Sequence, residues 1–142
     1  MEYQTDLGGF CSPIIIYEPG VTDRHPEVQD KIAQQIDILP TLMGRLHYPK
    51  PYFAFGIDVL NTPAELTWAV NYLNGIYQYV KNGYVLQFDG QKTKAVYALT
   101  DSLMQNNLLT SHPSPLTSDM ERELKAIIQQ YMSRMTQDRL QP

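Results

Sequence analysis

Cysteine is nearly absent from this sequence, since Cys11 is the single thiol in 142 residues. An internal disulfide and a metal site built from several cysteines are therefore excluded. No apolar run reaches the roughly 18 to 20 residues that a bilayer-spanning helix needs. The first residues, Met1 to Asp6, lack the basic region and apolar core of a signal peptide. Taken literally, these features predict a soluble chain that stays where it is made.

Positive charge is also scarce. The chain has 11 Lys and Arg against 15 Asp and Glu, for a net charge of -4 and a pI of about 5.2. This balance gives no electrostatic reason to expect nucleic acid as a partner. With 43% hydrophobic and 18% charged residues, the composition is that of one globular domain large enough to bury a core.

The residues that usually bind metals or act as nucleophiles are scattered. None of the three histidines forms a His-x-His or His-x-x-x-His pair. His25 and His112 each precede a proline in a predicted loop, and His47 lies where a helix C-terminus favours a cation. No histidine is close in sequence to Cys11, which we interpret as a small buried hydrophobe. We therefore predict structural roles for the histidines and for Cys11.

Three acidic residues in the loop before Lys31 have the side-chain type that binds Ca²⁺. Asp23, Glu27 and Asp30 lack the alternation and the glycine of an EF-hand loop, so a solvated charged loop is the preferred interpretation. Gly8 and Gly9 are not followed by a phosphate-binding signature.

The first half of the chain predicts a strand followed by a helix. Pro13 to Tyr17 is a compact apolar run typical of a buried strand, and residues 18–30 form a loop. Ile32 to Ile36 is a short strand or a helical turn. Ile38 to Leu46 is predicted as a helix with Asp37 as its N-cap.

The apolar residues of that helix recur at helical spacing. We expect one buried face made of Leu39, Leu42, Met43 and Leu46. Pro40 falls in the first turn, where its missing N–H costs nothing.

The second half predicts an antiparallel meander of three or four strands. Asn74-Gly75, Asn82-Gly83 and Asp89-Gly90 are typical of tight hairpin turns. The predicted strands are Thr67 to Gly75, Gly75 to Lys81, Tyr84 to Asp89 and Lys94 to Leu99. Their tyrosines could form a stacking platform for sugars or bases, but plain sheet packing is the preferred interpretation. Trp68 fits a strand that packs on a helix.

A terminal amphipathic helix follows a Pro/Ser loop. Ser118 and Glu121 match a capping box. The face predicted to cover the meander carries Met120, Leu124, Ile127, Ile128, Tyr131 and Met135.

Three segments carry a resemblance to a known family. Pro13 to Tyr17, Gln34 to Leu42 and Tyr52 to Leu60 look like the C-terminal part of lipoteichoic acid synthase-like phosphoglycerol transferases, in the sulfatase group of the alkaline phosphatase superfamily. The Asp-Ile-x-Pro-Thr-Leu motif is typical of the sulfatase group. The Phe-Gly-x-Asp-Val-Leu segment and the Tyr/Gly-rich strands after it favour the phosphoglycerol transferase branch. The resemblance covers nearly all of the chain.

The resemblance implies a membrane-anchored parent enzyme whose catalytic domain lies outside the cytoplasmic membrane. Such enzymes use a threonine nucleophile beside a divalent metal, often Mn²⁺, held by acidic residues and an Asp-His pair. The nucleophile and first acidic ligand lie far upstream, and the Asp-His pair shortly precedes the strand matched by Pro13 to Tyr17. This sequence contains no Asp-His dipeptide. No catalytic, cofactor-binding or metal-binding residue is therefore carried over.

The predicted fold is α/β (α+β). Residues 1–62 are expected to form the C-terminal edge of the sulfatase-like α/β sheet, and residues 63–142 an antiparallel meander packed on the terminal helix. The predicted partner is the upstream catalytic part of the same polypeptide. An excised piece would leave Pro13 to Tyr17 as an unpaired strand, which promotes self-association.

The leading hypothesis is a structural, non-catalytic C-terminal fragment of an extracytoplasmic, metal-dependent phosphoglycerol transferase or sulfatase-like enzyme. Two alternatives stay open. The parent is a true sulfatase that cleaves sulfate esters, or the chain is a free-standing binding module that uses its tyrosine face or a strand edge.

Overall fold

A computed structural model describes residues 5–17, 19–20, 28–109 and 115–141. Within these ranges the α-helices are α1 (Ile38–Arg45) and α2 (Pro115–Thr136), and the strands are β1 (Trp68–Leu73), β2 (Ile76–Lys81), β3 (Tyr84–Phe88) and β4 (Thr93–Ala98). Short 3₁₀ helices span Gly8–Phe10, Gln35–Asp37 and Ala64–Leu66. The mixed α/β class is confirmed.

The four strands form one antiparallel sheet in the order β1-β2-β3-β4. Both residues of Asn74-Gly75 and of Asn82-Gly83 have positive φ, which is what two-residue hairpins require. In the β3-β4 turn, the Asp89 Oδ1 accepts bonds from the backbone N–H groups of Gln91 and Lys92, both at 2.8 Å. The predicted meander is therefore confirmed, and each turn has a local cause.

Helix α2 covers one face of the sheet. Met120 and Leu124 are buried against Tyr79, Leu86 and Phe88. Ile127, Ile128 and Trp68 pack on this cluster, as predicted. On the opposite face, Ala69, Val80 and Val85 are covered by Leu7, with Ile32 and Met104 packed against them.

Two parts of the prediction for α2 are wrong. The helix begins at Pro115, so Ser118 lies inside its first turn and does not cap it. Proline is favoured at that first position because its φ is already helical. Tyr131 and Met135 are about half exposed, whereas the residues of α2 that are buried against the sheet, Met120 and Leu124, lie in its earlier turns. Tyr131 instead contacts Phe55, with ring centroids 5.0 Å apart.

A partly buried polar cluster joins α2 to the sheet. The Glu123 Oε2 accepts bonds from the Tyr79 hydroxyl at 2.9 Å and from the Lys81 Nζ at 2.8 Å. Burial is the main cause that raises the pKa of Tyr79, and the Glu123 carboxylate raises it further. The phenol therefore remains a hydrogen-bond donor at neutral pH. Burial alone raises the pKa of Glu123, but the bonds from Lys81 and Tyr79 outweigh it, and the net shift is downward.

The predicted strand at Pro13 to Tyr17 is wrong for the described structure. These residues belong to no ladder, and their side chains are exposed. An apolar run predicts that a segment is buried, but it does not identify the surface that packs against it. Among the described ranges, nothing pairs with this segment as a strand.

Helix α1 has nearly the predicted bounds, but the face that was predicted to be buried is the exposed one. Its buried residues are Pro40 and Thr41. Leu39 and Leu42 are close to half exposed, and Leu46 is 73% exposed. The predicted buried face is therefore wrong. The side of α1 that packs on the described residues makes polar contacts, and its leucines are exposed.

Candidate functional site at the Asp37 and Thr41 junction

The candidate residues that the structure describes, Cys11, Asp30 and His47, do not form a cluster that could hold a metal ion. Cys11 is exposed, which overturns the buried interpretation, and its Sγ lies 3.6 Å from the Leu7 carbonyl oxygen. His47 follows α1 in the left-handed region, with φ of 49°, and Asp30 is exposed. His25, His112, Asp23 and Glu27 lie outside the described residues.

The tyrosines do not form one exposed platform. Tyr79 is 1% exposed, and Tyr77 and Tyr84 pack on the cluster under α2. Tyr72 and Tyr77 are directly opposite on β1 and β2, with ring centroids 4.6 Å apart. These contacts are those of ordinary sheet packing, which was the preferred interpretation.

Asp37 is the most buried carboxyl group of the described residues, with 1% of its surface exposed. Its Oδ1 accepts a bond from the Ile57 N–H at 2.8 Å, and its Oδ2 accepts one from the Gln34 N–H at 3.0 Å. Asp37 occupies the N-cap position of α1 but makes no side-chain cap bond there. The predicted N-cap role in α1 is wrong, because the carboxylate instead closes the capping box of the 3₁₀ helix Gln35–Asp37 and binds the distant Ile57 N–H.

Thr41, one turn further along α1, holds the same neighbouring segment. Its Oγ1 accepts a bond from the Val59 N–H at 3.1 Å and lies 3.5 Å from the Ile57 carbonyl oxygen. Asp37 and Thr41 stand four residues apart, so they share one helical face. Together they fix residues 57–59 against α1, and we call these two side chains the α1 bracket.

Two glycines permit this close approach. A Cβ on Gly56 would overlap the Ile36 carbonyl group and lie 2.7 Å from the Asp37 nitrogen. A Cβ on Gly44 would overlap the Asp58 carboxylate. The Asp58 Oδ1 in turn accepts bonds from the Leu60 and Asn61 N–H groups. Sequence reasoning missed both glycines, although the Phe-Gly-x-Asp signal contains one of them.

Gln34 connects this region to the sheet. Its Nε2 donates to the Trp68 carbonyl oxygen at 3.2 Å, and its Oε1 accepts from the Val70 N–H at 3.1 Å. Nearby, the Thr67 Oγ1 accepts a bond from the Ile32 N–H at 3.2 Å. The extended residues before α1 are thus held along the outer edge of β1.

The arrangement is suited to support rather than to catalysis. Both Asp37 oxygens face backbone donors, and the buried Thr41 hydroxyl is engaged by backbone groups. Within the described ranges, no group of three or more His, Cys, Asp or Glu residues could hold a metal ion. The bracket is therefore a structural junction.

We expect Asp37→Asn to lower the free energy of unfolding by about 1 to 3 kcal/mol at pH 7, because an amide NH₂ leaves one buried N–H without an acceptor. Burial raises the pKa of Asp37, and the bonds from Ile57 and Gln34 offset part of the rise. A raised folded-state pKa favours folding at low pH, and this contribution is lost as pH rises through that pKa. The difference in free energy of unfolding between wild type and Asp37→Asn should therefore widen as the pH falls toward 3.8, the ordinary pKa of an aspartate.

Urea unfolding at pH 7 and near pH 4.5 measures both effects. Asp30→Asn is the matched control, since Asp30 is an exposed carboxyl group. A variant as stable as wild type, or a gap that narrows on acidification, would contradict this description of Asp37.

The described helices include none long and apolar enough to pass through a membrane.

Comparison with known proteins gives one informative similarity. The chain is 30% identical over 114 residues to a protein of Bacillus subtilis (strain 168) described as "Lipoteichoic acid synthase-like YvgJ". The match covers 68% of this chain and 18% of that relative, so the chain spans under a fifth of the relative's length. No protein-family profile matches the chain, and no solved structure matches it.

Proposed function

The chain is related to the lipoteichoic acid synthase-like proteins, and from this relationship we propose that it is the C-terminal, non-catalytic part of a phosphoglycerol transferase-like enzyme. The parent enzyme is metal-dependent and membrane-anchored, and its catalytic domain lies outside the cytoplasmic membrane. The similarity to YvgJ is the observation that carries the proposal. The small share of that relative that is matched leaves ample polypeptide for the reactive groups.

The chemistry of the described residues supports a structural role. A divalent metal such as Mn²⁺ prefers several oxygen or nitrogen ligands that converge on one point. The described residues do not fit such an ion, because no group of ligand side chains converges. The buried carboxylate of Asp37 is held between two backbone N–H groups. No catalytic step is therefore assigned to this chain.

The physical task of the chain is to complete and support the catalytic part. The α1 bracket fixes residues 57–59, and Gln34 ties that region to the meander. The meander and α2 contain the compact core. An attachment of this kind can position a neighbouring domain without contributing a reactive group.

The test compares two proteins: the 142-residue chain and the longer polypeptide encoded with its upstream sequence. With Mn²⁺, the longer polypeptide is expected to cleave a generic phosphodiester, and the 142-residue chain is expected to show no turnover. Turnover by the purified chain that persists through metal-site controls would overturn the proposal. Cleavage of a sulfate ester in place of the phosphodiester would identify the parent as a sulfatase.

A further inference from the structure

Helix α2 is longer than the sheet that it covers. Its 22 residues span about 33 Å, whereas strands of five or six residues span about 20 Å. The residues that α2 contributes to the core on that face of the sheet run from Leu116 to Ile128. The last two turns of α2 therefore lie beyond the part of the helix that serves this core.

Those last turns contact an aromatic segment that precedes the residues held by the α1 bracket. The ring centroids of Tyr131 and Phe55 are 5.0 Å apart, and those of Phe55 and Phe53 are 4.9 Å apart. The Arg134 guanidinium lies over the Phe53 ring, 4.4 Å from its centroid, where the electron-rich face of the ring attracts a cation. We call Tyr131 and Arg134 the α2 strap.

The end of the chain holds Arg134 in place. Its Nη1 donates a hydrogen bond to the Arg139 carbonyl oxygen at 3.1 Å, and the Arg139 N–H donates to the Arg134 carbonyl oxygen at 2.9 Å. Asp138 lies between them in the left-handed region, with φ of 54°, a conformation that commonly ends helices. The bond from Nη1 restricts the Arg134 side chain, which lowers the entropy cost of its contact with Phe53.

The strap acts directly beside the bracket. Phe55 is followed by Gly56, whose backbone lies so close to Ile36 that a Cβ would overlap the Ile36 carbonyl group. The next N–H, that of Ile57, donates to the Asp37 Oδ1 at 2.8 Å. Phe55 and Ile57 are two residues apart along this closely packed backbone, so fixing the Phe55 ring limits where the Ile57 N–H can lie.

We propose that the α2 strap is a conformational device that keeps residues 57–59 bound to the α1 bracket, so that the bracket and the last turns of α2 open and close together. With the strap in contact, residues 53–57 keep the conformation in which the Ile57 N–H meets the Asp37 carboxylate. When the strap is released, this segment gains freedom and the bonds to the bracket open more often. Thermodynamic linkage makes the coupling reciprocal, so loss of the bracket must also loosen the strap. The inference concerns this chain alone and does not depend on the chemistry of the parent enzyme.

Tyr131→Ala should open the bracket without unfolding the sheet. The contact between two aromatic rings is strong enough to change a local opening equilibrium by roughly tenfold. We expect the Ile57 amide to exchange roughly tenfold faster with solvent deuterium, measured by NMR on the 142-residue chain, while the amides of β2 and β3 keep their native rates. Native exchange at Ile57, or equal acceleration throughout the sheet, would overturn the proposal.

Three further variants separate the ring contacts from a general loosening of the helix. Met132→Ala changes the neighbouring residue, which is 54% exposed, and should leave the exchange rate of Ile57 unchanged. Tyr131→Phe keeps the ring and should behave as wild type. Arg134→Ala removes the cation from Phe53 and should raise the exchange rate of Ile57 roughly threefold. An effect of Met132→Ala as large as that of Tyr131→Ala would contradict the assignment.

The reverse direction tests the coupling itself. Asp37→Asn weakens the bracket and should raise amide exchange in residues 131–136, whereas Asp30→Asn, at an exposed carboxyl group, should not. In the double variant Asp37→Asn with Tyr131→Ala, the acceleration at Ile57 should fall short of the product of the two single effects, because either substitution alone already opens the bracket. Native exchange in residues 131–136 of Asp37→Asn, or effects that multiply in full, would overturn the proposal.

Discussion

Leu124→Ala should lower the free energy of unfolding by about 3 kcal/mol, within the range of about 2 to 5 kcal/mol for such truncations in a core. Leu124 has no exposed surface and packs with Phe88 and Leu86, where α2 meets the sheet. Removing its isobutyl group loses the transfer free energy and leaves a cavity that neighbouring side chains fill only in part. The loss is a large share of the stability of a small domain.

Met132→Ala on the same helix is the control, because Met132 is 54% exposed. It should cost less than about 0.5 kcal/mol. Urea unfolding followed by circular dichroism measures both variants. If the two substitutions cost the same, α2 does not cover the sheet as described.

Gly56→Ala should lower the free energy of unfolding by about 3 kcal/mol, at the upper end of overpacking costs. The added methyl group would overlap the Ile36 carbonyl group and crowd the Asp37 nitrogen. These are backbone atoms, so a side-chain rotation cannot relieve the overlap. Moving residue 56 away would stretch the bond between the Ile57 N–H and the Asp37 Oδ1, and so break one arm of the α1 bracket.

Gly9→Ala is the matched control, since a Cβ there meets nothing within 4 Å. That substitution should be neutral or slightly stabilising, because alanine reduces the freedom of the unfolded chain. Near-native stability of Gly56→Ala would mean that α1 and residues 56–59 are not in close contact.

The meander could be predicted from the sequence because its determinants are local. Asn74-Gly75 and Asn82-Gly83 supply the positive φ that the hairpins need, and the aromatic residues of the strands recur close to period two in the sequence. The same holds for α1 and α2, whose periodic patterns gave their approximate bounds. Turns and helices of this kind depend on neighbours a few residues apart.

The sequence could not predict which surface packs against the apolar residues of the first half of the chain. Pro13 to Tyr17 and the leucines of α1 have the pattern of buried residues, yet the described structure exposes them. A periodic pattern specifies a face without specifying the surface that packs on it. The same limit applies to Cys11, whose predicted burial depended on the burial of its segment.

The role of Asp37 was mistaken for a related reason. Its sequence neighbours fit an N-cap, which is a local interaction, but its carboxylate binds the Ile57 N–H twenty residues away. Such a partner has no local signal. The family resemblance included both the segment of Asp37 and the segment of Gly56. The structure explains why the two occur together, because Gly56 lets the backbone approach Asp37 closely.

We propose that this chain supplies structural support, while the reactive groups belong to other parts of the parent polypeptide. Calorimetric titration of the purified 142-residue chain with Mn²⁺ at pH 7 tests this most directly. We expect no saturable heat and no change in melting temperature. A one-to-one Mn²⁺ site of micromolar affinity or tighter, abolished by replacing side chains of this chain, would contradict it.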